Sequence, residues 1–588
     1  MNAAWAAIQK ARSDTYGKVS DLSGTASTRP VTEAQRIAGL PRWNAEALAG
    51  LDLTEKHRRP EGTFTLTATQ SLVLHFAETC PGVLGHIAVG GGKGLLSMLL
   101  PSAMKAKKPV LLLPPKLVET FHREYRKFRP HFRLCENLKV IPYSMLSVAS
   151  GADLLVAFSP DLIILDEAHE LKRPEAARTK RFLRYCRQFP ATRVVPMSGT
   201  LTKRGLLDYA HLAELSLREG SPLPQVAADL LAWANVVDAD GVPRADDYWS
   251  MLELLPAGWQ GLEDEERRSV ARSAFRERLR ATVGVVCTSG GSAENALTFT
   301  PLPFEEPGGI REARLALEQD WVRPDGEELE SPLAVYRVQS QLSSGFFYLW
   351  DWPDGVVDTE WMEARGRWHR AVRSILKRDL AEFDSPLRVA RGIVSGRLDD
   401  KEARSAYEGW VEQRHKLKPP TKTVWLDSFL IEQAVAWAIA LLEKKQEGIL
   451  WYEHAAVGEA LAQAGLRVYG AGEDLDTATS PPVFAAAIRV HGTGKNLQRY
   501  AKNFVLNWPG DGATCEQLVG RTHRQGQEAD EVEVFYPEHT PQAREAVRRA
   551  LRDARYIEDT QGTQQKLCRG TWTSPVSDDE EGGKIYTR

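Results

Sequence analysis

Cysteine is scarce in this chain of 588 residues, and its placement excludes two classes of protein at once. The six cysteines, Cys80, Cys135, Cys186, Cys287, Cys515 and Cys568, form no CxxC pair and have no histidine at zinc-ligand spacing. They read as reduced thiols, so neither a disulfide scaffold nor a cysteine-based zinc module is expected. Long apolar runs are also missing. The longest, Val83 to Leu100, is interrupted by Lys93 and a run of glycines, which excludes a bilayer-spanning segment there. Met1 to Lys10 lacks the basic start and apolar stretch of a secretory signal. These absences lead to the expectation of a cytoplasmic protein, in a bacterial cytosol or that of a virus-infected cell, with the nucleus as the alternative. No membrane partner is expected. Nor is there an excess of one charge: 75 Lys and Arg stand against 78 Asp and Glu, for a net charge of -3. That balance argues against simple charge-driven coating of nucleic acid, but it allows a basic cleft between acidic faces.

The composition that remains, 43% hydrophobic and 26% charged, is that of a globular protein with room for several domains. Residues 1–60 read as a partly disordered lead-in. Over 61–220, short apolar runs alternate with amphipathic stretches. Gly85 to Ala88, Pro109 to Leu113, Lys139 to Ile141, Leu162 to Leu165 and Arg193 to Val195 read as buried parallel strands. Leu117 to Phe128 and Pro174 to Phe189 read as helices between them. The rhythm returns over 422–560, with helices at Ile431 to Lys444 and Ala455 to Ala464. Strands are expected there at Gly448 to Tyr452, Phe484 to Val490 and Asn503 to Asn507. This alternation predicts an α/β fold of two lobes with parallel sheets. Between them, 221–421 reads as a helical insertion rich in tryptophan (Trp249, Trp321, Trp350, Trp352, Trp361, Trp368 and Trp410), its rings forming a core. Residues 561–588 read as an acidic, flexible tail.

Four motifs carry chemistry. Gly90-Gly91-Gly92-Lys93 follows an apolar strand and opens a helix. Glycines let backbone N–H groups turn around phosphate oxygens, and Lys93 would reach the terminal phosphates. A glycine turn with a solvent-facing lysine is the plain alternative. Asp166-Glu167-Ala168-His169 ends the run Leu162 to Leu165, at the carboxyl edge where α/β sheets place ligands. Asp166 suits Mg²⁺, and Glu167 suits the metal site and the attacking water; the alternative is a helix N-cap. Ser198-Gly199-Thr200 ends another strand and is either a link between the phosphate site and the other lobe or a simple turn. Farther on, Gln517-Leu518-Val519-Gly520-Arg521-Thr522-His523-Arg524-Gln525-Gly526-Gln527 puts Arg521 and Arg524 on one face. Two guanidinium groups so placed suit phosphoryl-transfer chemistry, unless they simply form a solvated basic helix.

In this order the motifs resemble the Swi/Snf-like branch of the superfamily 2 helicase-like ATPases, which are DEAH-box double-stranded DNA translocases. The resemblance runs from about Leu66 to Tyr536 and is weakest in the centre. Leu66-Thr67-Ala68-Thr69-Gln70 is similar to the family's adenine-reading motif. Pro114-Pro115-Lys116-Leu117, with Phe121 and Phe128, is similar to its DNA-backbone motif, and Gly492 to Leu497 to its coupling motif. The resemblance implies two RecA-like lobes, ATP and Mg²⁺ as cofactors, and ATP hydrolysis coupled to movement on duplex DNA. It places Gln70, Gly90, Gly91, Gly92, Lys93, Gly94, Asp166, Gly494, Gln517, Arg521 and Arg524 at the nucleotide. Lys93, Glu167, Arg521 and Arg524 would be catalytic, and Lys116 and Lys495 would contact DNA.

The chain departs from the family at four places. Gly94 stands where the family has a hydroxyl on Mg²⁺, Leu201 where it has a proline, and Lys495 where it has an apolar residue; Gly470 to Ser480 lacks its Asp-Gly-Ser and arginine. A glycine at 94 is expected to leave room for one more water, and Ser97, nearly a turn on, is expected on the helix surface. The rival functions are a strand-separating helicase on DNA or RNA, which would take single-stranded nucleic acid, and a weakly hydrolysing ATP-gated clamp.

Overall fold

Five apolar runs between Leu84 and Ser198, each too short for a helix, become parallel strands covered on both faces. In the computed structural model these are β1 (Leu84–His86), β2 (Pro109–Leu113), β3 (Lys139–Pro142), β4 (Leu162–Asp166) and β5 (Arg193–Ser198), joined by β6 (Val285–Cys287). The structure describes residues 32–574 except 89–90, 173, 175, 203, 289–294, 321, 326–331, 353–354, 379–382, 384–385, 417–419, 474, 476–478, 493–495 and 525. Residues 575–588 of the expected tail and the first half of the lead-in lie outside them. Within them, the protein is α/β, with two sheets of parallel strands and about half of its residues helical. No helix of the described residues is long and apolar enough to cross a membrane.

The chain divides into two units: 1–289 with 357–418 and 559–563, and 290–356 with 419–558 and 564–588. The first holds a six-stranded sheet ordered β3-β2-β4-β5-β1-β6, all parallel. Two-residue periodicity sends alternate side chains to opposite faces. Leu112, Ile163, Leu165 and Val194 pack with Tyr209, Trp233 and Phe275. Leu111, Leu113, Ile164 and Val195 pack against Leu96, Leu99 and Phe121. Burial on both faces explains why these strands read as unbroken apolar runs. Helices Thr359–Lys377, Pro386–Val394 and Lys401–Gln413 enclose a small core of Trp368, Ile375, Phe383 and Val389. Trp361 packs edge-on to Trp410 with ring centroids 5.8 Å apart. Trp249, by contrast, is exposed. Trp321 lies outside the described residues.

The second unit carries β7 (Ala296–Leu302), the antiparallel pair β8 (Phe346–Trp350) and β9 (Thr421–Trp425), and then β10 (Gly448–Tyr452), β11 (Val468–Tyr469), β12 (Val483–Ala487), β13 (Lys502–Val505), β14 (Glu531–Pro537) and β15 (Thr571–Trp572). Its main sheet is parallel, ordered β11-β12-β10-β13-β14-β7-β15. The expected strand Phe484 to Val490 ends at Ala487, and Ile488–His491 turns into a short helix. β7 and β15 come from stretches read as insertion and tail, yet both are strands of this sheet. Phe299 on β7 is fully buried and stacks on Trp572 of β15 at 4.2 Å with ring planes 14° apart. Phe299→Ala is therefore expected to destabilise this unit by about 3–5 kcal/mol. Thermal or urea unfolding checks this; loss of less than about 1 kcal/mol would contradict that packing.

Candidate functional site

The carboxyl ends of β1, β5 and β4 lie side by side in the sheet, with His86 opposite Ser198 and Asp166 opposite Met197. The chain leaves β1, passes the glycines, and enters the helix Lys93–Ala103. Gly92, its N-cap, has a φ of 77°, a left-handed conformation that glycine adopts freely, and it offers no side chain to the first helical N–H groups. Gly91 is confined as well: a β-carbon there would stand 2.6 Å from Ile87 Cγ2. Gly90 lies outside the described residues.

Lys93 is buried, and its Nζ donates to Ile87 O at 3.1 Å and lies 3.6 Å from Glu167 Oε1. The plain alternative, a solvent-facing lysine, is thus excluded. Glu167 follows β4 with a φ of 54°, uncommon for a residue with a side chain. That conformation costs about 1–2 kcal/mol and persists only where the surroundings impose it. Here they do. Glu167 Oε2 is 3.2 Å from Ser198 Oγ and 3.4 Å from His169 Nδ1, and Ser198 Oγ is 2.9 Å from His169 Nδ1. The backbone N–H of Thr200 also donates to Ser198 Oγ, at 3.2 Å. One assignment satisfies all of these contacts: N–H of Thr200 donates to Ser198, Ser198 donates to Glu167, and Nδ1–H of His169 is shared between Ser198 Oγ and Glu167 Oε2. Ser198 thus joins His169 and Glu167 within the first unit.

Electrostatics separate the two acids. Burial would raise Glu167, but Lys93 and the hydrogen bonds from His169 and Ser198 override it, holding the carboxyl well below the usual range. Asp166 is pushed up to about 7, first by burial and then by the neighbouring charge of Glu167, with Glu124 adding to it against the pull of Lys93. Carboxylate oxygen is the kind of donor that Mg²⁺ takes, so the donor chemistry here fits it. No group of three or more His, Cys, Asp or Glu among the described residues is arranged to hold a metal alone. Mg²⁺ commonly takes one or two carboxylates and fills its remaining positions with phosphate oxygens and waters.

Gln70 is buried beside the glycines. Its Oε1 accepts from Thr67 N at 2.9 Å, in a capping box that starts the helix Ala68–Thr79, and its Nε2 lies 3.4 Å from Gly92 O. Two expectations need correction. The room left by Gly94 is not open for a water: a β-carbon there would stand 2.5 Å from Glu124 Oε2. Ser97 is not on the helix surface but fully buried, donating to Lys93 O at 3.0 Å as interior helical serines do. Lys116 is exposed on the short helix Pro115–Leu117.

In the second unit, Gln517 belongs to the helix Gly512–Val519. Arg521 is buried, its Nε donating to Gln517 O at 3.0 Å, while Arg524 is half-buried. The segment is fixed by its neighbours: Thr522 Oγ1 accepts from Asn503 Nδ2 at 3.2 Å, and Gln527 Nε2 donates to Thr522 O at 3.1 Å. His523 Nε2 meets Asn295 O at 2.8 Å. Glu516, pushed up to about 7 by burial, accepts from Lys566 N at 2.9 Å and Leu567 N at 2.7 Å. The Lys566 amine is lowered, by burial first and also by the charge of Arg524. These are not the features of a solvated basic helix. Gly494, Lys495 and Gln525 lie outside the described residues.

Glu124, Glu516 and Lys566 were not singled out by sequence, since single charged residues in helices carry no signal of what they face. His169 and Ser198 belong to quoted motifs, but their mutual bond was not evident. No protein-family model matches this chain, and no curated protein is significantly similar to it in sequence.

Gly92→Ala tests the loop directly. Both the left-handed φ and a collision with the Gln70 amide oppose a β-carbon there. A loss of stability of about 1–3 kcal/mol is expected. Combining it with Gln70→Ala should recover only the steric part, in a double-mutant cycle read by thermal unfolding. A stability unchanged by Gly92→Ala would contradict the loop conformation.

Proposed function

We propose that the protein is an ATP-driven motor of the superfamily 2 helicase-like class, Swi/Snf-like in its motifs, with two RecA-like lobes. It hydrolyses ATP to ADP and phosphate while moving on double-stranded DNA. The observation that carries this reading is the buried pair of Lys93 and Glu167, with Nζ and Oε1 3.6 Å apart at the carboxyl ends of the sheet that also bears the glycine loop. A buried lysine paired with a carboxylate is costly to build for stability alone. At a glycine loop that opens a helix, it is well suited to receive phosphate.

The chemistry follows from the competition for Lys93. While the ammonium lies against Glu167, that carboxylate is a weak proton acceptor. Phosphate oxygens of ATP draw Lys93 toward themselves and relieve Glu167 of its cation, leaving it held by Ser198 and His169. Its affinity for a proton then rises, as a group that orients and deprotonates water requires. Mg²⁺, with Asp166 to hold it, supplies neutralisation of the phosphate charge. Gln70, in contact with the loop, reads the adenine side. Arg521 and Arg524 stabilise charge on the transferring phosphoryl group. The run Gln517 to Gln527 supports a duplex track over a strand-separating one, and Lys116 with Lys495 supplies phosphate contacts.

Duplex DNA is expected to stimulate ATP turnover more than single-stranded DNA or RNA, and to do so less as salt rises, because phosphate contacts release counterions. Arg524→Ala should cut the stimulated turnover by about a thousandfold with ATP binding nearly intact. Glu167→Gln should retain ATP without hydrolysing it. A steady-state phosphate-release assay with each nucleic acid decides the matter. Equal or greater stimulation by RNA would overturn the duplex track, and parental turnover in Arg524→Ala would overturn the role of the arginines.

A further inference from the structure

A hydroxyl that follows the lysine of a phosphate loop ordinarily takes one position on Mg²⁺. This chain has Gly94 there, and nothing on its own helix replaces it: Ser97 is spent on Lys93 O at 3.0 Å. The replacement comes from elsewhere. The helix Val118–Phe128 follows β2 and the short helix Pro115–Leu117, and the same core cluster joins its Phe121 to Leu96 and Leu99 of the helix Lys93–Ala103. Glu124, one turn on from Phe121, thereby reaches Gly94. Its Oε2 lies 2.5 Å from where a β-carbon of residue 94 would stand, so any side chain there would have to push it aside. Glycine at 94 and glutamate at 124 are thus one spatial feature: the first makes room that the second fills with a carboxylate oxygen.

We infer that Glu124 takes over the metal-facing role of the missing hydroxyl, acting with Asp166 to hold the Mg²⁺ of the bound nucleotide. This deepens the proposed function and rests on it. Carboxylate oxygen is the harder and more strongly charged donor, and Mg²⁺ favours such oxygens. Lys93, buried between the glycine loop and Glu167, supplies the positive charge that lets a further acid be tolerated beside the phosphates. Gly94 directly follows Lys93, whose Nζ lies 3.6 Å from Glu167 Oε1, so the carboxylate of Glu124 stands at the same loop as the acids that end β4. The chain has thus moved one metal contact from the loop itself to a neighbouring helix.

The test uses Mn²⁺ as the probe, titrated into the full chain with a non-hydrolysable ATP analogue and followed by electron paramagnetic resonance. Glu124→Gln and Glu124→Ala should each weaken Mn²⁺ uptake about tenfold or more. Their affinity for the analogue in EDTA should not fall, because the lost contact is to the metal and not to the nucleotide. Mn²⁺ affinity within twofold of the parent in both variants would overturn the inference and leave the proposed function standing. If the parent itself takes up no Mn²⁺ with the analogue, the proposed function falls and this inference falls with it.

Discussion

Lys93 and Glu167 come from different strands and meet only because the sheet brings the ends of β1 and β4 to either side of β5. Much else in the first unit serves that meeting. The glycines before Lys93 allow a left-handed turn into the helix, so the lysine points back over the sheet edge. Glu167 accepts an unfavourable backbone conformation to face it, and Ser198, at the end of the intervening strand, holds the carboxylate from its other side. A buried ion pair gains little stability in itself, and breaking one leaves an uncompensated charge. Spending burial, backbone strain and three side-chain hydrogen-bonding groups on one contact is understandable if that contact has to be exchanged for another. Phosphate is the partner this arrangement suits.

The second unit follows a different logic. Its arginines are set by packing and hydrogen bonds within a short segment, with Thr522 and His523 engaged with a neighbouring strand or loop and Gln527 bonded back to Thr522. Residues 564–572 are tied in beside them, because Glu516 receives the N–H groups of Lys566 and Leu567, and Trp572 stacks on Phe299. Burial lowers the Lys566 amine, and the charge of Arg524 adds to that against the pull of Glu516.

The sequence made the central strands legible because full burial leaves unbroken apolar runs: β2 and β10 lie where the pattern puts them, residue for residue. It made Lys93, Asp166 and Glu167 legible because glycines before a lysine and acids after a buried strand are chemically unusual. What it did not reveal depends on distant pairing. β7 and β15 are strands only by virtue of neighbours more than two hundred residues away in sequence, and a run such as Ala296 to Leu302 has no mark of that partner. Glu124 was hidden for a similar reason. In a strongly amphipathic helix a glutamate reads as a solvated residue, and only the packing of two helices shows that it fills the place left by Gly94. The buried Ser97 was misread because its hydroxyl is satisfied by its own helix, which a sequence pattern cannot register.

The central claim, that the Lys93–Glu167 pair is a phosphate site, is tested most directly by isothermal titration of ATP with Mg²⁺ into the parent and into Lys93→Met. The parent should bind, and Lys93→Met should bind about 10- to 100-fold more weakly, the equivalent of one charge-assisted bond of about 1.5–3 kcal/mol. Equal binding by the two, or no binding by a correctly folded parent, would contradict it.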